Sequence, residues 1–146
     1  MQHLKLTFEN IMQSQILFYD KKVEAACFDI CEHLKIDNMP AINGKNYYEL
    51  QNAQFKSKTI RKLHKLFIDD SIFKPVIQKK FMANKHNVLF VFEENVLRGV
   101  VHISDYNRNN VLESVQDDLL AFERKLRQLI LLNGLKMSIC MTFLKK

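Results

Sequence analysis

The chain is poor in several residue types. It has 146 residues, no tryptophan, three glycines and two prolines, a composition that weighs against a loop-rich enzyme. No apolar run approaches the roughly 20 residues that a membrane span requires, and no secretory apolar segment precedes the cysteines. We therefore expect a globular, cytoplasmic protein without a membrane segment.

The three cysteines are Cys27, Cys31 and Cys140. An odd number without paired spacing does not form a disulfide framework. Cys27 and Cys31 are four residues apart, so they share one helix face, but no second pair of ligands follows at zinc spacing. We predict buried thiols in a reducing compartment and no metal site.

Positive charge is in excess, with a net charge of +6. The densest group of basic residues alternates with apolar residues and predicts a basic amphipathic helix over roughly 57–66. The pattern favours a solvated basic face. A phosphate- or RNA-binding face is the alternative, although we do not expect nucleic acid as the partner. The basic residues are Lys56, Lys58, Arg61, Lys62 and Lys65.

The first third of the chain predicts a strand, a helix and a hairpin. Residues 15–18 form a short strand candidate, and Asp20 can cap the helix that follows. Asn43-Gly44 between two apolar runs is typical of a type I′ hairpin turn. The predicted buried stripe of the helix consists of Val23, Ala26, Cys27, Ile30, Cys31 and Leu34.

The same order of elements recurs. Residues 17–23 are echoed by residues 66–72 at an offset of 49. A helix pattern follows, with Pro75 near its first turn, and then a hairpin over 88–102 whose first strand is the apolar run 88–92. An internal period near 50 residues indicates a repeat architecture. We predict an α+β fold with two β-α-β-β-α repeats, over 9–58 and 59–110, packed as a pseudo-two-fold pair that buries two half-covered sheets.

A long helix is predicted over 111–134, before a tail over 135–146. Its apolar residues are spaced 3, 4, 3, 4 and 3 apart, which is typical of a heptad seam. An apolar strip of this length must pack against another surface, which can be its own module, a second copy or chain that is missing here; if the helix is an interaction surface, the seam predicts self-association. The seam residues are Leu112, Val115, Leu119, Phe122, Leu126 and Leu129.

The most informative stretch is 99–105, Gly-Val-Val-His-Ile-Ser-Asp. A glycine late in a strand lets another backbone or a ligand approach closely, and a hydroxyl and a carboxylate follow at the strand-to-helix junction. With the repeat, this stretch resembles the tandem CBS-domain module over roughly residues 9–110. In that family a hairpin strand ends in Gly-apolar-apolar-Thr/Ser-x-x-Asp, and Met39-Pro40-Ala41-Ile42-Asn43-Gly44 resembles the family's proline-containing hairpin.

The resemblance implies a regulatory module rather than a catalyst, with a cleft that receives AMP, ADP or ATP and with a homodimeric assembly. It implies that Asp105 accepts hydrogen bonds from ribose hydroxyls and that Val100 and Val101 flank the adenine. It also places Ser71 where the first strand-helix junction of the second repeat can touch ribose, although a helix-capping role would also account for that serine. The implied site residues are Gly99, Val100, Val101, His102, Ser104, Asp105 and Ser71.

Two departures from the family pattern leave alternatives open. His102 takes the place of the family's hydroxyl residue, and the first repeat has Tyr48, Gln51 and Gln54 where glycine, hydroxyl and aspartate are expected, so at most one half-site remains. The first alternative is a non-catalytic dimerisation or interaction module with a degenerate nucleotide site. The second is an RNA-associated regulatory fragment, because residues 110–132 resemble the start of a helical domain that follows some bacterial CBS pairs. The catalytic Arg-x4-His signature of that domain is absent.

Overall fold

The computed structural model describes residues 5–133. Lys5–Tyr106 form one compact unit, and residues 107–133 belong to a second. In chain order the elements are α1 (Phe8–Ile11), α2 (Glu24–Leu34), β1 (Asn38–Pro40), β2 (Asn46–Gln51), β3 (Gln54–Thr59), β4 (Lys65–Phe67), α3 (Pro75–Ala83), β5 (Val88–Glu93), β6 (Val96–His102) and α4 (Asn109–Leu132). The predicted α+β class and the long C-terminal helix are confirmed.

The region predicted as the first repeat contains an antiparallel sheet of order β1-β2-β3. The strand predicted over 15–18 is wrong, since none of these residues pairs with a strand; the next residue, Tyr19, forms an isolated parallel bridge with Ala41. The cap at Asp20 is confirmed, because its carboxylate accepts a hydrogen bond from the Lys22 N–H at 2.9 Å. A single 3₁₀ turn, Lys21–Val23, then leads into α2.

Helix α2 buries a narrower stripe than its periodicity predicts. Cys27 and Cys31 are buried against Met39 of β1, as expected, whereas Val23 and Leu34 are each 53% exposed. Burial raises the pKa of the Cys31 thiol, so it stays protonated and apolar. Cys140 lies outside the described residues.

The type I′ turn lies at a different position from the predicted one. Asn43-Gly44 does not form it, because Gly44 alone has a positive φ, +67°, and its N–H donates to the Ala41 carbonyl. The two-residue turn with positive φ at both positions is instead Asn52-Ala53, at 49° and 61°, between β2 and β3. The rare left-handed alanine explains why the sequence does not reveal this turn.

The basic helix predicted over 57–66 is wrong. The tight turn returns the chain along β2, so Gln54–Thr59 become β3 and only one 3₁₀ turn, Lys62–His64, precedes β4. Cross-strand contacts, including the Lys58–Glu49 ion pair at 2.5 Å, outweigh the local helical period. Since β3 is the edge of its sheet, its exposed lysines also guard that edge against pairing with another chain.

The second repeat pairs β4 with β5 in parallel and β5 with β6 antiparallel. Helix α3 is the crossover between the two parallel strands, and Pro75 occupies its first turn, as the sequence predicts. Strand β5 carries the core, with four consecutive buried residues from Leu89 to Phe92. The stretch over 99–105 begins inside β6, at the edge of this sheet, and continues past the end of the strand at His102.

Helix α4 has 24 residues, and its seam is exposed as a continuous stripe. Leu112 and Phe122 are 53% and 64% exposed, and the other four seam residues lie between 39% and 63%. Across residues 5–133, none of the helices combines the length and apolar character needed to cross a bilayer.

Candidate ligand-binding cleft

A cleft of about 400 Å³ lies within the unit Lys5–Tyr106 and is lined by both repeats. The second repeat supplies His86, Val88, Val100, His102 and Ser104. The first repeat supplies the end of α2 and β1, with Leu34, Lys35, Ile36, Asp37, Asn38 and Pro40. The segment after α1 completes the lining with Gln13, Gln15, Ile16 and Leu17.

Gly99 allows the segment after α1 to pack on β6. A Cβ atom at this position would lie 2.7 Å from the Met12 Sδ and 3.0 Å from the Gln13 carbonyl oxygen. Beside it, Gln13 and Val100 exchange backbone hydrogen bonds of 2.9 and 3.1 Å. The predicted close backbone approach is therefore confirmed, and the glycine shapes one wall of the cleft without lining it.

Asp105 organises the end of β6. It is only 6% exposed, and its Oδ2 accepts a hydrogen bond from the His102 N–H at 2.8 Å. Its Oδ1 lies 3.3 Å from the Gln13 Nε2, which donates to it. Asp105 is not among the residues that line the cleft. The structure thus shows a positioning contact, and direct contact with ribose stays a prediction.

His102 and Ser104 form a small hydrogen-bonded pair in the cleft wall. The Ser104 N–H donates to the His102 Nδ1 at 3.1 Å, and the Ser104 hydroxyl lies 2.7 Å from the same nitrogen. Because Nδ1 accepts, the neutral ring carries its proton on Nε2. His102 in this tautomer offers a ligand one N–H donor, which replaces the hydroxyl donor of the family motif.

A charged cluster joins the two repeats beside the cleft. The His86 Nδ1 lies 2.6 Å from the Asp37 Oδ2, and its Nε2 lies 2.5 Å from the Glu49 Oε1. Glu49 is 1% exposed and also accepts from Lys58, Lys85 and Gln51 at 2.5, 2.6 and 2.6 Å.

These contacts decide the ionisation of Glu49. Burial disfavours its charged form, but hydrogen bonds from Lys58, Lys85 and His86 outweigh burial and lower the pKa of the carboxyl to about 2. Glu49 is therefore a carboxylate at neutral pH and fixes His86, which in turn holds Asp37 at the cleft.

The predicted site residues occupy four kinds of position. Val100, His102 and Ser104 line the cleft together. Gly99 and Asp105 support its wall, while Val101 is fully buried in the core. Ser71 lies apart from the cleft, where it bridges Thr7 and its hydroxyl accepts from the Phe73 N–H at 3.4 Å.

The equivalent stretch of the first repeat is occupied by structural contacts. Tyr48 stacks on Tyr19 with ring centroids 3.8 Å apart, and Gln51 donates to Glu49. Gln51 and Gln54 pair across the β2-β3 turn. None of these three residues lines the cleft between the repeats.

Sequence reasoning missed Asp37 and His86. Each is an isolated polar residue 49 positions from the other, and no local spacing links them to Glu49. Across residues 5–133, no group of three histidine, cysteine or acidic residues is arranged to hold a metal ion.

Comparisons with known proteins bear on the fold. No family model matches the chain, and no curated protein matches it. A solved structure does match, with a TM-score of 0.53 over 95% of this chain and 90% of the other, at 11% sequence identity. It is the crystal structure of a hexameric CBS-CP12 protein from bloom-forming cyanobacteria. The chain has a CBS-type fold. At this level of identity the likeness concerns architecture alone.

Proposed function

We propose that this chain is a regulatory, non-catalytic CBS-type module that binds an adenine nucleotide in the cleft between its repeats. The observation that carries the proposal is the cleft itself, about 400 Å³ and lined from both repeats. Three of the seven residues that the family motif implies, Val100, His102 and Ser104, line it. Its volume lies within the range of small-molecule sites.

The lining matches the parts of a nucleotide. Apolar side chains such as Ile16, Ile36 and Val100 provide a surface for a planar base. The His102 Nε2–H and the Lys35 ammonium are donors suited to phosphate oxygens. The Asp37 carboxylate is acceptor-only, as hydrogen bonds from ribose hydroxyls require, and His86 occupies just one of its two oxygens.

Regulation follows from the two-repeat lining. A ligand that touches both repeats favours the arrangement of the repeats in which both walls of the cleft contact it. It shifts the equilibrium between this arrangement and others by its differential affinity for them. A cleft lined by both repeats fits the role of a cytoplasmic nucleotide sensor.

The test is calorimetric titration with AMP, ADP, ATP, S-adenosylmethionine and cyclic dinucleotides. We expect at least one adenine nucleotide to bind with a sub-millimolar Kd. His102→Ala and Asp37→Asn should each weaken it about tenfold or more through loss of hydrogen bonds to charged groups. Asp29→Asn, on α2 and outside the cleft lining, is the matched control. If no compound binds below 1 mM, the ligand-binding proposal is wrong.

The same titration distinguishes the two carboxylates. Asp37→Asn should act on binding without a large change in stability, because the Asp37 side chain is 57% exposed. Asp105→Asn should lower the unfolding midpoint, since Asp105 is buried. If Asp105→Asn weakens binding and Asp37→Asn does not, the ribose contact belongs to Asp105.

A self-associating scaffold is the second candidate function, and the exposed stripe of α4 favours it. The structural neighbour is hexameric, which supports assembly as a property of this architecture. Light scattering of the full chain at micromolar concentration should give a mass of a dimer or a larger oligomer. A monomer under these conditions would contradict the scaffold proposal and leave ligand binding unaffected.

A further inference from the structure

The exposed stripe of α4 has the geometry of half an interface. Its six residues recur at 3 and 4 positions over 18 of the 24 residues of the helix, a length of about 26 Å at 1.5 Å per residue. Each is between 39% and 64% exposed. Monomeric soluble proteins rarely expose a contiguous apolar surface of this kind. The stripe consists of Leu112, Val115, Leu119, Phe122, Leu126 and Leu129.

The spacing specifies the kind of partner. Residues spaced 3 and 4 apart on a straight helix insert between residues of a facing helix that carries the same spacing. Helix α4 itself carries that spacing, so a second copy supplies a matching stripe. Side chains at this spacing lie on one face of the helix. Two copies can therefore pack these faces against each other as a pair of α4 helices related by a two-fold axis.

The charges that flank the stripe decide the orientation. In heptad terms Leu112, Leu119 and Leu126 are a positions, which makes Asp118 and Lys125 g positions and Glu123 an e position. A parallel pair sets each g position beside the next e position of the other helix, and so brings Asp118 beside Glu123 of the second copy. Two carboxylates would then meet on each side of the pair, and because Glu123 already pairs with Arg127 of its own helix at 2.6 Å, the parallel orientation gains no attraction from this contact.

An antiparallel pair removes this repulsion. With Leu119 packed opposite Phe122 of the second copy, Leu112 faces Leu129 and Val115 faces Leu126. In this register Asp118 lies opposite Lys125 of the second copy, twice by symmetry. Asp118 already takes part in an interaction within its own chain, and the lysine adds an opposite charge to that site.

We propose that two copies of this chain associate through an antiparallel pair of α4 helices, with Asp118 of each facing Lys125 of the other. The inference rests on the self-association proposed above and adds the surface, the orientation and the register.

The first experiment tests the surface by sedimentation equilibrium on the full chain. Leu119→Glu places a charge at the centre of the apolar seam and should raise the dimer Kd by at least a hundredfold. Gln128→Glu adds the same charge off the seam and should leave the Kd within twofold. Circular dichroism checks that both variants keep their helix content. A dimer that tolerates Leu119→Glu overturns α4 as the interface, and a wild-type monomer overturns self-association altogether.

The second experiment tests the orientation. Lys125→Glu turns two attractive contacts into repulsive ones and should raise the Kd about tenfold, whereas Arg124→Glu, the adjacent residue away from the seam, makes the same charge change and should not. Combining Lys125→Glu with Asp118→Lys should restore most of the affinity. In a parallel pair Lys125 faces Ile130, so equal Kd values for Lys125→Glu and Arg124→Glu would overturn the antiparallel register while leaving the dimer intact.

Discussion

Replacing Glu49 by glutamine tests whether the charged cluster holds the two repeats together. The substitution keeps the shape of the side chain and removes its charge. In the folded chain the Glu49 carboxylate receives donors from β3, from the loop before β5 and from its own strand. A neutral amide loses the ionic attraction to Lys58 and Lys85 and is a weaker acceptor for His86. Since Lys85 and His86 lie in the second repeat, much of the loss falls on the contact between repeats.

The magnitude follows from the ionisation of the carboxyl group. Its pKa falls from 4.5 to about 2 on folding, and each pKa unit is about 1.36 kcal/mol of differential interaction. The full shift corresponds to about 3 kcal/mol. Lys58 and Lys85 are 41% and 65% exposed, so water screens part of their attraction. We therefore expect Glu49→Gln to lower the free energy of unfolding by about 2 kcal/mol.

The pH dependence has a definite sign. A carboxyl whose pKa is lower in the folded state stabilises the protein above its unfolded pKa and loses that contribution as the pH falls through the folded value. For Glu49 the window runs from about 4.5 down to about 2. The stability difference between wild type and Glu49→Gln should be constant from pH 6 to 7 and fall to less than half by about pH 3.

Urea unfolding followed by circular dichroism at pH 7, 5 and 3 measures this difference. Glu93→Gln is the matched control, because Glu93 makes a single ion pair with Arg98 at 2.6 Å in which both side chains are about half exposed. That variant should lose at most about 0.5–1 kcal/mol. If the two variants lose the same stability, or if the loss at Glu49 does not depend on pH, the cluster does not act as described.

Two further substitutions test the supports of the cleft. Gly99→Ala places a methyl group 2.7 Å from the Met12 Sδ and 3.0 Å from the Gln13 carbonyl oxygen, so it should lower the free energy of unfolding in urea by about 1–3 kcal/mol. Adding Met12→Ala removes the closer contact and should recover part of that loss; no recovery would contradict the role of Gly99 in packing. Tyr106→Phe removes the hydroxyl that donates to the Ile72 carbonyl at 2.7 Å and should cost about 1 kcal/mol, an expectation that an unchanged unfolding midpoint would refute.

The sequence predicts those parts of the fold whose signals are local. The cap at Asp20, the proline at the start of α3 and the apolar run of β5 each depend on a few neighbouring residues, and the structure contains all three. The close approach at Gly99 is also predictable, since a glycine inside a strand often marks a point where a second backbone segment packs closely.

The failures occur where contacts distant in sequence decide the outcome. Basic and apolar residues over 57–66 are spaced in a pattern that predicts a helix, yet pairing with β2 makes residues 54–59 a strand. Likewise, Asp37 and His86 are separated by the repeat offset of 49, but nothing in the sequence indicates that they meet Glu49. The three come together only once α2 and the β1-β2 hairpin pack beside the loop before β5. The cleft motif is visible in the sequence, but the groups that support it are not.

The charges around the cleft also limit which nucleotide fits best. Among the described lining residues the charged or titratable groups are Lys35, Asp37, His86 and His102. His86 is committed to two carboxylates, and Asp37 offsets Lys35. The Lys35 ammonium and the His102 N–H can donate hydrogen bonds to a single phosphate, whereas a triphosphate generally needs several cationic groups or a bound metal. If the proposed site is correct, AMP should bind more tightly than ATP in the calorimetric series without added magnesium, because each further phosphate adds negative charge that this cleft does not compensate.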